Sequence, residues 1–385
     1  MKNSARVQFR ITSVLLLFAS LIASEDAFAH TSSPNTTKSY TTLGPLGPYV
    51  LYTIQTSTVS YGTGINENGD VAGYTVNADG SNSAFLYKHG KLTMLGTLGG
   101  QSSIAIGIND HDVIVGTSQT GSGTWDAFVW KDGVMTDLGN NSGVPTATAV
   151  SINNSGLIAI DNFGGAGHGW LCQYSTWAQV AKSSCVELTA PGSAFGGIGS
   201  VLNNGTAAGS AAVGGFPGPY QAAFWSLDSP TAPLINGPIN SNVTSGNDKG
   251  EFVGWGNGFS NLASLYWSSK TAAPVDLGFY FGGNGNWSAA YAINNNGVIL
   301  GTSYNTANNQ DSYLAYSGSL LDLTALLQFT ILGSVTHSDQ AQTSLNQQNA
   351  IAGSVMTSNG YRAAILAPSS CGDLSDDEPR REREQ

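Results

Sequence analysis

The sequence predicts an all-β fold: a seven-bladed β-propeller of four-stranded blades, with the ring closed by the N-terminal strand. Two observations predict it. One strand–turn–strand motif recurs seven times at the spacing of propeller blades, and two more short strands follow most copies. The composition agrees, because 49 glycines and only 10% charged residues are typical of a turn-rich β protein. The formal net charge of −11 argues against a nucleic-acid partner, which requires clustered Lys and Arg.

The repeated motif is an alternating strand that ends in Asn, a tight turn, and an apolar strand that ends in Gly. It is clearest in "GINENGDVAG" from Gly64, "GINDHDVIVG" from Gly107 and "AINNNGVILG" from Ala292. The seven motif asparagines are Asn66, Asn109, Asn153, Asn203, Asn247, Asn294 and Asn346. An Asn at the first turn position hydrogen-bonds the backbone two residues on, so all seven are predicted to form turns. The closing glycines, such as Gly73 and Gly116, indicate a close backbone approach, and Ile160 interrupts that pattern.

The third and fourth strands of each unit predict how the ring closes. An aromatic strand ("AFLY" from Ala84) and a fourth strand ("TMLGTLGG" from Thr93) complete the first unit. The seventh unit runs through "AAILA" from Ala363 and lacks its fourth strand. Near the N-terminus, "TTLGPLG" from Thr41 matches the fourth strand of the first unit. We therefore expect the N-terminal segment to complete the last blade, which leaves no sheet edge exposed.

The units resemble those of the extracellular HAF-repeat family, in which an Asn-containing turn motif is followed by His-Ala-Phe. The resemblance covers nearly all of Thr41 to Pro368. The sequence departs from the family pattern at the His position, which holds Ser83, Asp126 and Ala222 in the first, second and fourth units. The resemblance implies propeller-like repeats and an extracellular location, and it implies no particular activity.

The N-terminus is typical of a secretory signal peptide. Basic residues precede an apolar run over 11–23, and a small-residue cleavage site follows at Ala27-Phe28-Ala29. The run is shorter than the about 20 residues that a membrane-spanning helix needs, so no transmembrane segment is expected after cleavage. The predicted organisation is a signal peptide (1–29), a flexible segment (30–40), the propeller (41–368) and a disordered charged tail (369–385). This organisation predicts a secreted or periplasmic protein.

Three cysteines suit an oxidising compartment. Cys172 and Cys185 are predicted on adjacent strands, where a local disulfide can form. Cys371 is left over, either to pair between chains or to remain a free thiol. The sequence contains no Cys/His cluster with metal-ligand spacing and no phosphate-binding or dinucleotide-binding glycine motif, so neither a metal nor a cofactor is expected.

A four-stranded meander places alternate connections on opposite faces of the ring. We name the face with the first-to-second and third-to-fourth turns the short-turn face. The face with the second-to-third loops and the links between blades is the long-loop face. Long loops on a rigid scaffold usually carry the binding residues, so the long-loop face is the predicted working face. Its aromatic residues are predicted to contact a sugar or peptide ligand; they are Trp125, Trp255, Trp287, Tyr220 and Tyr304.

Three functions remain open at this stage. The first is a secreted, non-catalytic binding or adhesion module for a glycan or an extracellular protein. The second is a carbohydrate-active hydrolase or lyase, which would gather two or more unpaired acids or histidines within about 10 Å at the central opening. The third is a structural envelope or matrix component. The catalytic candidates for the second function are Asp161, His168, Asp311, His337 and Asp339.

Overall fold

The computed structural model describes residues 36–139, 147–162, 168–174, 185–189, 195–212, 219–257, 262–278, 287–304, 310–331 and 344–369. These residues form seven antiparallel sheets, six with four strands and one with five. In each four-stranded sheet the strands follow one another in chain order, as in a propeller blade. The predicted all-β, seven-bladed propeller is confirmed.

The chain opens with β1 (Thr36–Thr42), a 3-10 turn (Gly44–Leu46) and β2 (Pro48–Ile54). Blade 1 has β3 (Ser60–Ile65), β4 (Val71–Val76), β5 (Asn82–Lys88) and β6 (Lys91–Met94). Blade 2 has β7 (Gly99–Ile108), β8 (Ile114–Thr120), β9 (Trp125–Lys131) and β10 (Val134–Asp137). Blade 3 has β11 (Thr148–Ile152), β12 (Leu157–Asn162), β13 (His168–Gln173) and β14 (Cys185–Leu188).

Blade 4 has β15 (Phe195–Val201), β16 (Thr206–Ala212), β17 (Tyr220–Ser226) and β18 (Ser229–Ile235). Blade 5 has β19 (Ser241–Gly246), β20 (Phe252–Asn257), β21 (Leu262–Trp267) and β22 (Val275–Asp276). Blade 6 has β23 (Ser288–Ile293), β24 (Ile299–Tyr304), β25 (Gln310–Tyr316) and β26 (Ser319–Asp322), and helix α1 (Leu323–Leu327) follows it. Blade 7 contains β27 (Phe329–Thr330), β28 (Ile351–Thr357) and β29 (Gly360–Pro368).

The N-terminal strand closes the ring as predicted, but with different residues from those the sequence match indicated. Strand β2 pairs antiparallel with β29, from Tyr49 opposite Pro368 to Thr53 opposite Ala364, and β1 pairs with β2 as a fifth, outer strand. The matched segment from Thr41 instead ends β1 and forms the turn, because Gly44 and Gly47 adopt positive φ and interrupt the strand.

The predicted domain boundaries are partly covered by the described residues. Strand β1 begins at Thr36, inside the stretch 30–40 that was expected to be flexible. The predicted signal peptide, Cys371 and all of the charged tail except Ser369 lie outside the described residues. No helix among the residues described here is long and apolar enough to cross a membrane.

The core of the described residues includes seven hydrophobic clusters that each lie between two neighbouring blades, and an eighth, smaller cluster contains residues of blades 1 and 2. The larger cluster between blades 1 and 2, for example, joins Leu86 to Ile108, Phe128 and Trp130. Trp225 and Trp267 are also buried at equivalent strand positions, while Trp170 is half-buried. Both faces of a blade are therefore covered by its neighbours, and the ring is stabilised by blade-to-blade packing.

The closing glycines allow the close approach that the sequence predicted. A Cβ atom on Gly116 would lie 2.1 Å from the carbonyl oxygen of Ile104 in the first strand of the same blade. The same contact would occur at 2.0 to 2.5 Å in five other blades, at Gly73, Gly209, Gly254, Gly301 and Gly353. The first strand of blade 2 bulges at this point, where its register shifts between Ala105 and Gly107.

The predicted disulfide is present. Cys172 in β13 lies directly opposite Cys185 in β14, with the two Cα atoms 4.0 Å apart, and their sulfur atoms are bonded. The bond joins the third and fourth strands of blade 3, so it holds the outer edge of that blade to its interior.

Candidate functional site

The motif asparagines form a belt of hydrogen bonds around the central opening on the short-turn face. The Oδ1 atom of Asn109 accepts hydrogen bonds from the backbone N–H groups of His111 and Val113, both at 3.0 Å. Its Nδ2 atom donates to the carbonyl oxygen of Asn153 in the next blade at 3.1 Å. The predicted turn-forming role is confirmed for Asn109, and each such side chain also joins its turn to the neighbouring blade.

The same inter-blade bond recurs around the ring at 2.8 to 3.2 Å, donated by Asn66, Asn109, Asn153, Asn247, Asn294 and Asn346. The bond from Asn346 to the carbonyl oxygen of Asn66 connects blade 7 to blade 1. Ring closure is therefore supported on the short-turn face by side chains as well as by the pairing of β2 with β29.

Blade 4 interrupts the belt. Its turn is closed by bonds from Leu202 N to Thr206 O and from Gly205 N to Leu202 O, which match the Asn153 turn of blade 3. Leu202, not Asn203, therefore occupies the motif position, and the predicted equivalence of Asn203 to the other six asparagines is wrong. The sequence match misled because it aligned the motif by its Asn, which selects Asn203, whereas the turn of blade 4 begins one residue earlier, at Leu202.

A second set of side chains, one residue after the motif position, surrounds the same opening. Its members all end in a carboxylate or a carboxamide: Glu67, Asp110, Asn154, Asn203, Asp248, Asn295 and Gln347. Most of them accept a hydrogen bond from the backbone N–H of their counterpart in the preceding blade. Examples are Asp110 Oδ1 from Glu67 N at 2.9 Å and Glu67 Oε1 from Gln347 N at 3.0 Å. We call these seven residues the rim.

The rim and the belt line a cavity of about 140 Å³ at the central opening. Glu67, Asp110 and Asp248 contribute three carboxylates to its lining. Burial raises the pKa of Glu67 to about 7, and the charges of Asp110 and Asp248 act in the same direction, opposed by the hydrogen bond from Gln347. Within the part of the chain that is described, no three His, Cys, Asp or Glu side chains are grouped to hold a metal ion.

An ion-pair cluster around the buried Asp70 lies on the same face. Lys88 Nζ is 3.1 Å from Asp70 Oδ2 and 2.7 Å from Asp112 Oδ2, and Asp112 Oδ1 accepts from Asn66 Nδ2 at 3.2 Å. Burial and the neighbouring Asp112 carboxyl raise the pKa of Asp70 to about 6, while Lys88 opposes the rise. Because Lys88 ends the third strand of blade 1, this contact places the third-to-fourth turn on the short-turn face.

The predicted catalytic residues are dispersed as far as they are described. Asp161 in blade 3 is buried, and its Oδ2 accepts a hydrogen bond from Ile198 N of blade 4 at 3.2 Å. Asp311 in blade 6 is buried beside Asp322, whose pKa is raised by burial and then by Asp311. The side chain of His168, the first residue of β13, and both His337 and Asp339 lie outside the described residues. Two blades separate Asp161 from Asp311 on the shorter path around the ring.

Two of the predicted ligand-binding aromatic residues pack against the same hydrophobic cluster. Trp255 in β20 and Trp287, just before β23, are both half-buried and pack against one cluster that includes Ala289 and Tyr291. Asn242 lies directly opposite Trp255 in the β19–β20 pair, and it is 7% exposed. Its Oδ1 atom has no hydrogen-bond partner among the described residues. We call Trp255, Trp287 and Asn242 the tryptophan site.

The other predicted aromatic residues do not join this site. Trp125, the first residue of β9, is half-buried against a separate cluster of Tyr61, Tyr74, Ile104 and Ile106. Tyr220 is half-buried at the start of β17 in blade 4, and the side chain of Tyr304 lies outside the described residues.

The cavity on the short-turn face was not predicted from the sequence. The sequence does contain an indication of this cavity: an acid or an amide directly follows the Asn in all seven sequence copies of the motif, as in Glu67, Asp110 and Asp248. Side chains that recur at one position of every blade are usually structural, so repetition by itself does not indicate a binding site. Long loops carry binding residues more often than short turns do, so the sequence favoured a site on the opposite face.

The comparisons with known proteins agree with the fold and go no further. No protein-family model and no curated protein matches this sequence. The β-propeller domain of the Trilobed protease from Pyrococcus furiosus is similar in structure, with 11% identity and a TM-score of 0.47 over 81% of this chain and 97% of that one. An oligogalacturonate lyase in complex with manganese gives 10% identity and a TM-score of 0.43, over 87% and 97%.

TolB from Acinetobacter baumannii gives 10% identity and a TM-score of 0.38. That match covers 62% of each chain, so it spans less than two thirds of the TolB chain. With identities of 10–11% and TM-scores below 0.5, these likenesses carry no argument about function, and the propeller fold of this chain rests on its own seven sheets.

Proposed function

We propose that this protein is a secreted, non-catalytic binding module that recognises a glycan or an extracellular protein through its long-loop face. The tryptophan site carries the proposal. Trp255 and Trp287, from neighbouring blades, are each half-buried, and Asn242, directly opposite Trp255, has a buried amide oxygen with no hydrogen-bond partner in the described part of the chain. Indole faces stack on the apolar faces of sugar rings, and an amide oxygen accepts hydrogen bonds from sugar hydroxyls. We therefore favour a glycan as the ligand.

The ring supports this role because it holds the two tryptophans on a rigid frame. The belt joins neighbouring blades with buried hydrogen bonds, and Ser288 Oγ of blade 6 accepts from Ser264 N of blade 5 at 2.9 Å. The relative position of Trp255 and Trp287 is thereby set before a ligand arrives. A preorganised site loses less conformational entropy on binding.

The non-catalytic proposal is favoured over a carbohydrate-active enzyme by the surroundings of the acids. Asp161 accepts a backbone hydrogen bond from blade 4, and Glu67 accepts one from Gln347. Carboxylates held in this way serve the structure, whereas a glycosidase needs two carboxyl groups on opposite sides of the scissile bond.

A location outside the cytoplasm is part of the proposal. The Cys172–Cys185 disulfide supports it, because disulfides persist mainly in oxidising compartments. The signal-like N-terminus and the resemblance to the HAF-repeat family support the same placement.

Glycan-array binding followed by calorimetry tests the function. For a glycan found on the array, we expect Trp255→Ala and Trp287→Ala each to weaken binding by about tenfold or more, the loss expected for one aromatic contact. Trp170→Ala is the matched control, since Trp170 is also half-buried but lies in blade 3. Equal affinity in all three variants contradicts the site. Hydrolysis or cleavage of the bound glycan contradicts the non-catalytic role, and binding to no glycan at all contradicts the favoured ligand.

A further inference from the structure

The cavity on the short-turn face has one sector that differs from the others, between blades 4 and 5. In six blades an Asn amide donates to the backbone carbonyl of the next blade, but Leu202 has no amide to offer Asn247. Among the described residues, the carbonyl oxygen of Asn247 accepts only the bond within its own turn, from Gly250 N at 3.0 Å. A carbonyl oxygen has two lone pairs, so one acceptor position remains at this sector.

A second feature at this sector is the hydroxyl group of Ser200. Ser200 lines the cavity, is 6% exposed, and its Oγ has no hydrogen-bond partner among the described residues. Two of its counterparts are bonded: Ser151 Oγ accepts from Val201 N, and Ser344 Oγ donates to Thr63 O, both at 3.3 Å. A buried hydroxyl without a partner is costly, so the Ser200 hydroxyl provides a position for a polar group of a ligand.

The charge of the residues that line the cavity determines the sign of the charge on that ligand. Its lining contains the carboxylates of Glu67, Asp110 and Asp248, and no Lys, Arg or His is among its described lining residues. The carboxylates come from blades 1, 2 and 5 and are not grouped as metal ligands. Opposed carboxylates in a partly enclosed opening attract a cation that carries several hydrogen-bond donors.

We propose that this opening binds a compact organic cation, a guanidinium or primary ammonium group. The cation would donate to the carbonyl oxygen of Asn247, the carboxylate of Asp248 and the Ser200 hydroxyl. The size agrees, because the cavity measures about 140 Å³ and a cavity of about 150 Å³ holds a benzene-sized molecule. This site lies on the face opposite the tryptophan site, so the two proposals stand or fall separately.

Calorimetric titration of the protein with methylguanidinium chloride and with methylammonium chloride tests the proposal, at constant ionic strength and with NaCl as the reference. We expect saturable one-to-one binding of at least one of the two cations. Asp248→Asn should weaken it by about tenfold, because a charge-assisted hydrogen bond is lost. Ser200→Ala deletes a hydroxyl that has no hydrogen-bond partner in the described part of the chain, so this variant should fold normally and still bind more weakly. Asp79→Asn is the control, an exposed acid in the second-to-third loop of blade 1.

Two further arms identify the source of the cation. Acetyl-arginine amide represents a side chain of a partner protein, and putrescine represents a free amine. Tighter binding of either one than of methylguanidinium supports the proposal and indicates its source. Binding of the organic cations that is no stronger than that of Na⁺ in the NaCl reference overturns the proposal. An affinity that is unchanged in both Asp248→Asn and Ser200→Ala also overturns it. Binding of Ca²⁺ that depends on Asp248, without binding of either organic cation, also overturns it.

Discussion

Replacing Asn109 by Ala should destabilise the protein by about 3 kcal/mol. The Asn109 side chain makes three buried hydrogen bonds: two accepted from the turn amides of His111 and Val113, and one donated to Asn153 O of the next blade. Each such bond contributes about 1 kcal/mol net, and loss of the side chain leaves all three partners without it. Asn204→Ala is the control, because Asn204 is exposed and its Oδ1 accepts one bond, from Thr206 N.

The measurement is reversible urea unfolding followed by tryptophan fluorescence, compared at a common m-value. We expect Asn204→Ala to cost about 1 kcal/mol or less. Asn109→Asp separates the two roles, because a carboxylate keeps both turn bonds and cannot donate to Asn153 O. If only the two turn hydrogen bonds stabilise the protein, the free energy of unfolding of Asn109→Asp should be close to that of wild type. If the inter-blade hydrogen bond of the belt also stabilises the protein, the free energy of unfolding of Asn109→Asp should be lower by at least about 1 kcal/mol. Equal stability of Asn109→Ala and Asn204→Ala would refute a stabilising belt.

Two further predictions follow from packing and charge. Gly116→Ala should lower the free energy of unfolding by about 1–3 kcal/mol, because its Cβ would lie 2.1 Å from Ile104 O. Gly121→Ala is the control in the same urea experiment and should lower it little, because the nearest atom to its Cβ is 3.8 Å away. A similar loss in both variants would contradict the close approach. The folded protein holds the Glu67 proton more tightly than the unfolded chain does, since the pKa is about 7 instead of 4.5. Stability should therefore fall as the pH rises from about 4.5 through 7. Glu67→Gln should remove that part of the decline, so the unfolding temperatures of variant and wild type should diverge between about pH 4.5 and 7 and stay apart above pH 7. Parallel pH profiles would contradict the prediction.

The fold could be predicted from sequence because its units repeat. Seven copies of one turn motif are stronger evidence than any single strand, and a local disulfide between adjacent strands needs only their order. The sequence failed where two local matches compete. Either Asn203 or Leu202 fits the motif of blade 4, and only the hydrogen bonds of the turn distinguish them. Thr41–Gly47 also matches a fourth strand, but two glycines with positive φ turn the chain there instead.

The sites depend on contacts between blades, which no local pattern encodes. Trp255 and Trp287 are 32 positions apart in the chain, and only the packing of blade 5 against blade 6 brings them to one cluster. The carboxylates of Glu67, Asp110 and Asp248 become neighbours of one cavity only when the ring closes.

The amino-acid sequence by itself determined the repeat, the number of blades, the turn chemistry of the motif and the partner of Cys172, because each depends on residues close together in the chain. The tertiary structure alone decided that β2 completes the last blade, that Leu202 interrupts the belt, and that a cavity lined by carboxylates opens on the short-turn face. Those features arise where distant segments meet, and closing the ring sets which side chains meet there.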